Sequence, residues 1–310
     1  MNRRRLVNSA LLLVGLAAIA YATTRTVSDA KEQVLPSAQY LAVAAVLAFA
    51  SILSSARAWV ALFRDLVTSR ASGAALRGTF YLSQLTKYLP VGGVVQAASQ
   101  MGLARTLGVP MRRVAVAFPV SVVGAVAAGG TIGSGLVFDT ALSGWERALA
   151  LLGLLTVAFL HRGLMARVLE IARRFIHRIP SSENLSTQRD ILGFYAWGLV
   201  TIGSLCVAYA LLLHSVAGGV NPFVVACAFA MSWLVGFLAV PIPAGVGIRE
   251  AMLVALVPGV GAAPLLAASL ALRLLSICAE VLTFFANKLV VRRSGAHTFA
   301  AAPAPEVGVS

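Results

Sequence analysis

The chain reads as long apolar blocks separated by short polar ones, with blocks near 6–22, 39–62, 112–138, 147–161, 191–216 and 264–290. A helix rises 1.5 Å per residue, so about 20 apolar residues cross the hydrocarbon of a bilayer. Each block therefore predicts a membrane span, with 147–161 a short one. Two further regions, 76–108 and 223–261, are apolar but carry Pro and Gly in their middles. They are read as re-entrant helical hairpins. The predicted fold is an all-α integral membrane protein of about six transmembrane helices plus two re-entrant hairpins.

Composition agrees with lipid as solvent. Of 310 residues, 59% are hydrophobic and 12% charged, about half the charged share of an ordinary soluble domain, and the mean hydropathy is +0.87. The net charge of +14 would suggest nucleic acid in a soluble protein, but in a membrane protein it marks cytoplasmic loops. No nucleic-acid partner is expected. Cys206, Cys227 and Cys278 are scattered through apolar runs, which predicts neither a disulfide framework nor a metal site. Arg3-Arg4-Arg5 before the apolar run 6–22 imitates a cleavable signal. It is read instead as a retained first span.

If each hairpin returns to its side of entry and the start is cytoplasmic, six spans leave both termini cytoplasmic. The inner segments 1–5, 64–77, 101–113, 161–190 and 288–293 then hold 3, 3, 3, 6 and 3 Lys or Arg, whereas the outer segments 23–37, 139–147, 217–222 and 258–263 hold 2, 1, 0 and 0. This asymmetry supports that orientation, in the cell membrane. Within 161–190 the apolar residues recur at helical spacing among arginines, predicting an interfacial amphipathic helix over about 162–180, ended by Pro180. The expected organisation is one transmembrane domain, 1–293, and a disordered tail, 294–310.

The two broken regions resemble each other. Pro90-Val91-Gly92 and Pro243-Ala244-Gly245 share a Pro-x-Gly core, and a second glycine follows 18 residues after each proline, at Gly108 and Gly261. A long apolar helix comes next in both. This spacing predicts repeat units over about 76–138 and 223–290, inverted because one enters from each side. Hydrocarbon tolerates unpaired backbone groups only where protein or a water-filled cavity surrounds them. Two broken helices meeting near the midplane would present free N–H groups, and so an anion site.

Charged residues within apolar segments name the candidate site: Lys87, Arg249, Glu250, Arg273 and Glu280, with Arg57 near enough to its helix end to snorkel. Each costs about 3 kcal/mol at a helix centre, so they must be paired or used. Arg273 and Glu280 stand seven apart on one face, which points to partners across the bundle, such as Glu250 for Arg273. Glu250 also suits the N-terminus of the helix that restarts at Gly247. Gln84 and Gln96, with Gln100, add polar neighbours, and Gly92, Gly93, Gly245 and Gly247 line the breaks.

Three stretches, Leu85-Thr86-Lys87-Tyr88-Leu89-Pro90-Val91-Gly92-Gly93, Pro241-Ile242-Pro243-Ala244-Gly245-Val246-Gly247-Ile248-Arg249-Glu250-Ala251 and Ala271-Leu272-Arg273-Leu274, resemble the transmembrane region of lysylphosphatidylglycerol synthases, a flippase-like family with stand-alone members. The resemblance, over about 10–290, implies a lipid-handling membrane domain, with members linked to moving aminoacylated phosphatidylglycerol or polyprenyl-phosphate-linked glycans. It carries Lys87, Arg249, Glu250 and Arg273 as family-like positions. It departs at Phe118-Pro119-Val120-Ser121, where the family often has Glu-Arg. No synthase domain follows the last span, so aminoacyl transfer is not expected.

The functional expectation is a translocase for an anionic phospholipid or a polyprenyl-phosphate-linked glycan, with Lys87, Arg249 and Arg273 holding the headgroup phosphate and Glu250 and Glu280 balancing them otherwise. No catalytic residue, metal or cofactor is assigned, and no nucleotide motif suggests direct ATP use. The alternatives are a membrane-embedded enzyme using Glu250 as a base, which would need a second reacting group, or an accessory scaffold presenting lipid to a glycosyltransferase or lipid-modifying enzyme.

Overall fold

The computed structural model describes residues 35–63, 70–87, 96, 98–100, 102, 109–139, 143–175, 185–238 and 247–293. Its helices are α1 (Ala38–Ala61), α2 (Arg70–Thr86), α3 (Met111–Gly133), α4 (Gly144–Leu155), α5 (Arg162–Phe175), α6 (Gln188–Ala217), α7 (Pro222–Leu238), α8 (Ile248–Leu256) and α9 (Ala262–Arg293). Tighter 3-10 turns extend α3 through Ser134–Phe138 and α4 through Thr156–Leu160. Among the described residues there is no strand.

Four stretches, Ala38–Ala61, Met111–Phe138, Gln188–Ala217 and Ala262–Val291, are long and apolar enough to cross a membrane. They match the expected spans at 39–62, 112–138, 191–216 and 264–290. The short block at 147–161 forms Gly144–Leu160 and then turns by 92° into α5, so it reaches span length only as one arm of a bent pair. The expected span at 6–22 and the tail 294–310 lie outside the described residues.

Helix ends follow local chemistry. Thr187 Oγ1 accepts from the Asp190 N–H at 3.2 Å to start α6, and Gly218, at φ +59°, ends it. At α4 the Ser143–Glu146 pair forms a capping box. In α5 the apolar residues divide. Met165 and Leu169 are buried against the bundle, while Val168 and Ile171 face outward beside exposed Arg167 and Arg174. A 92° turn separates α5 from the helix before it; the predicted extension of α5 over 176–180 lies outside the described residues.

The bundle core is organised by antiparallel contacts. Tyr40 meets His214 and Arg57 covers the Trp197 ring, at the two ends of the α1–α6 contact. Helices α3 and α4 cross so closely that a Cβ on Gly130 would lie 2.2 Å from the Gly153 carbonyl oxygen. Asn287 on α9 donates to the Ala74 carbonyl of α2 at 3.1 Å. Helix α9 packs on α2, and α3 packs on α7. Helices α2 and α7 both have 17 residues.

Candidate functional site

The site forms along one face of α9. Arg273 and Glu280 are seven residues apart, two helical turns and about 10 Å. The midpoint of Ala262–Val291 falls between Ser276 and Ile277, so each charge stands about 5 Å from the centre of that stretch. Arg273 meets Glu250 of α8, and Glu280 meets Lys87 at the end of α2.

Glu250 opens α8. Gly247 precedes it at φ +88°, in the left-handed region that costs any other residue about 1–2 kcal/mol. This turn brings the Gly247 N–H to Glu250 Oε2 at 2.7 Å, satisfying a donor at the helix start. The other oxygen, Oε1, lies 2.7 Å from Arg273 Nη2 and accepts the Ser269 hydroxyl at 3.2 Å. The Arg273 contact is charge against charge: Nη2 is buried without a well-aligned hydrogen bond. Glu250 therefore both caps its helix and bridges to α9.

Lys87 follows the last residue of α2. Its Nζ reaches Glu280 and also Gln84 Oε1, the latter at 3.4 Å. Glu280 is 5% exposed, so its charge is stabilised by protein rather than by water. Arg249 is placed differently. Its guanidinium lies 5.4 Å from the Phe229 ring centroid, and its stem crosses Gly236, where a Cβ would come within 2.2 Å of Arg249 Cγ. Phe229 in turn stacks on Tyr209 at 4.7 Å, and the Tyr209 hydroxyl donates to the Leu265 carbonyl at 3.1 Å. A cation over a ring keeps partial compensation for its lost hydration.

Of the expected residues, Lys87, Gln84 and Glu280 come together, as do Glu250, Arg273 and Gly247. Gln96 is helical and half-buried. Gly92, Gly93 and Gly245, with Pro90 and Pro243, lie outside the described residues. Phe229, Gly236 and Ser269 escaped sequence reading. An apolar helix gives no sign of which Phe or Gly seats an arginine, although Ser269, one turn before Arg273, could have been inferred from helical spacing.

The profile of the family described as lysylphosphatidylglycerol synthase TM region matches residues 8–282. The chain belongs to that family. It is a multi-pass membrane protein of a family linked to lipid metabolism. No curated protein matches the sequence. The five charges sum to one positive unit, and neither carboxylate stands alone.

Proposed function

We propose that the protein is a flippase-like translocase for an anionic phospholipid or a polyprenyl-phosphate-linked glycan, with the headgroup phosphate held by Lys87, Arg249 and Arg273. The observation that carries this reading is the pair of ion pairs on α9, one from each broken unit, either side of the helix centre. A phosphate that takes Arg273 leaves Glu250 with the Gly247 N–H and the Ser269 hydroxyl. The exchange therefore strands no bare carboxylate. Gln84, Gln96 and the glycines of the breaks, Gly92, Gly93, Gly245 and Gly247, complete the cavity in this reading.

The units 76–138 and 223–290 act as an inverted repeat whose halves rock about the bound headgroup. Equal entry helices and the reciprocal packing of α9 on α2 and α3 on α7 support it. The protein resides in the cell membrane with cytoplasmic termini and supplies or clears lipid for a glycosyltransferase or lipid-modifying enzyme. Use of Glu250 as a catalytic base is disfavoured, since both its oxygens are engaged. The test is movement of a labelled phosphoglycolipid between leaflets of liposomes containing the full chain. Arg249→Ala slows it at least tenfold if the proposal holds; an unchanged rate refutes it.

A further inference from the structure

Arg249 and Glu250 are neighbours on α8, and a circuit of contacts that leaves from one returns to the other through α9, α6 and α7. Successive residues of a helix point about 100° apart, so Glu250 turns to α9 while Arg249 turns to α7. On the α9 side the Glu250 carboxylate takes Arg273 and the Ser269 hydroxyl. One turn before Ser269 stands Leu265, whose carbonyl accepts the Tyr209 hydroxyl of α6 at 3.1 Å. On the α7 side Tyr209 stacks on Phe229 with 23° between the ring planes, and Phe229 carries the Arg249 guanidinium on its face.

The middle of this circuit is sealed: Tyr209, Phe229, Leu265 and Ser269 are all buried. In a regular helix the Leu265 carbonyl already accepts the Ser269 N–H, so the Tyr209 hydroxyl is a second donor to an oxygen with a lone pair to spare. Losing that hydroxyl would strand no partner on α9. Burying a phenol also carries a desolvation cost that a plain ring avoids. The bond is therefore not required to satisfy the helix it reaches; it ties α6 to the turn of α9 that leads to Ser269 and Arg273. Phe229 and Gly236 stand seven apart, two turns on one face of α7. Gly236 passes the Arg249 stem and Phe229 meets its head, so the place of Phe229 sets the place of the guanidinium. Arg249 and Glu250 both act electrostatically on the Tyr209 hydroxyl, which puts the three groups in one neighbourhood.

We infer that Tyr209 is a positioning residue: held by Leu265 on one side and stacked on Phe229 on the other, it fixes where Arg249 stands relative to Arg273. This rests on the proposed role of the two arginines in holding a headgroup phosphate. Two long cationic side chains that must meet one phosphate bind it more tightly when they are set before it arrives, because ordering them on binding costs free energy. Arg273 is set by Glu250. Arg249 rests on an aromatic face, and is set by what holds that face. Tyr209 gives that face a fixed reference to the same helix that carries Arg273.

The experiment titrates the full chain in detergent with phosphatidylglycerol and follows the thermal midpoint, which rises as a ligand binds the folded state. Wild type, Tyr209→Phe, Arg249→Ala and the double variant are compared. Tyr209→Phe raises the lipid concentration of half-effect about fivefold, the factor expected when one hydrogen bond is lost from the binding free energy. The double variant titrates like Arg249→Ala alone, because the hydroxyl acts through Arg249. A lower midpoint with an unmoved titration makes Tyr209 a packing residue, overturning the inference while leaving the phosphate site intact. The same fivefold shift in the Arg249→Ala background overturns it too, since the hydroxyl then acts by a route that bypasses Arg249. No rise in the wild type, or identical titrations of wild type and Arg249→Ala, overturns the headgroup site and this inference together. Should Tyr209→Phe fail to fold, Phe229→Leu decides by the same comparison: it removes the face that carries Arg249 and leaves the Tyr209–Leu265 bond, and an unmoved titration there overturns the inference.

Discussion

Glu250 on α8 and Arg273 on α9 stand 2.7 Å apart, and the same carboxylate caps the helix that carries it. The start of α8 is thereby tied to the middle of the last long helix. One side chain joins local folding to the charge state of the site.

Glu250→Gln leaves Arg273 facing a neutral amide. Breaking a sealed pair costs about 3–5 kcal/mol; Arg273 keeps 26% of its side chain exposed, so about 2–3 kcal/mol is expected here. Thermal unfolding in detergent checks this. The double variant Glu250→Gln with Arg273→Gln regains most of the lost midpoint but does not regain lipid transport.

Lys87→Met is more damaging than its position at a helix end suggests, because Glu280 is buried. We expect low yield from Lys87→Met and near-normal yield from Lys87→Met combined with Glu280→Met. Monodisperse protein recovered by size-exclusion chromatography is the readout. Equal yields from the single and double variants would separate Glu280 from Lys87.

Gly236→Ala and Gly247→Ala test two different requirements. At Gly236 the added Cβ collides with the Arg249 stem, so transport falls to the level of Arg249→Ala with little loss of stability. At Gly247 the Cβ meets open space and the penalty is backbone strain, about 1–2 kcal/mol. Thermal midpoint and transport rate, measured on both, distinguish displacement of a side chain from strain in a turn.

Much of this fold could be read from the sequence because span length is set by bilayer thickness. Ala38–Ala61, Met111–Phe138, Gln188–Ala217 and Ala262–Val291 therefore lie within a few residues of their apolar blocks. Hydropathy carries no direction, so the 92° turn after Leu160 was legible only through the arginine-rich amphipathic pattern that follows it. At the site, intramembrane charge singled out Arg249, Glu250, Arg273 and Glu280, and helical spacing sent the search for partners across the bundle. The seat of Arg249 on Gly236 and Phe229 was hidden, because packing between distant segments leaves no local pattern.

Orientation is testable on intact cells. In a Cys278→Ser background, Pro258→Cys reacts with a membrane-impermeant maleimide, while Glu170→Cys reacts only after permeabilisation. The reverse pattern would invert the topology. Cys206 and Cys227 are buried and should stay silent.

The most direct test of the central claim is photo-crosslinking of the reconstituted full chain with a phospholipid carrying a diazirine beside its phosphate, followed by peptide mapping. Adducts are expected around Lys87, Arg249 and Arg273 and should disappear under excess unlabelled anionic lipid. Adducts confined to the outward side chains of α9, such as Leu282, Phe285 and Leu289, would contradict a headgroup site between the two broken units.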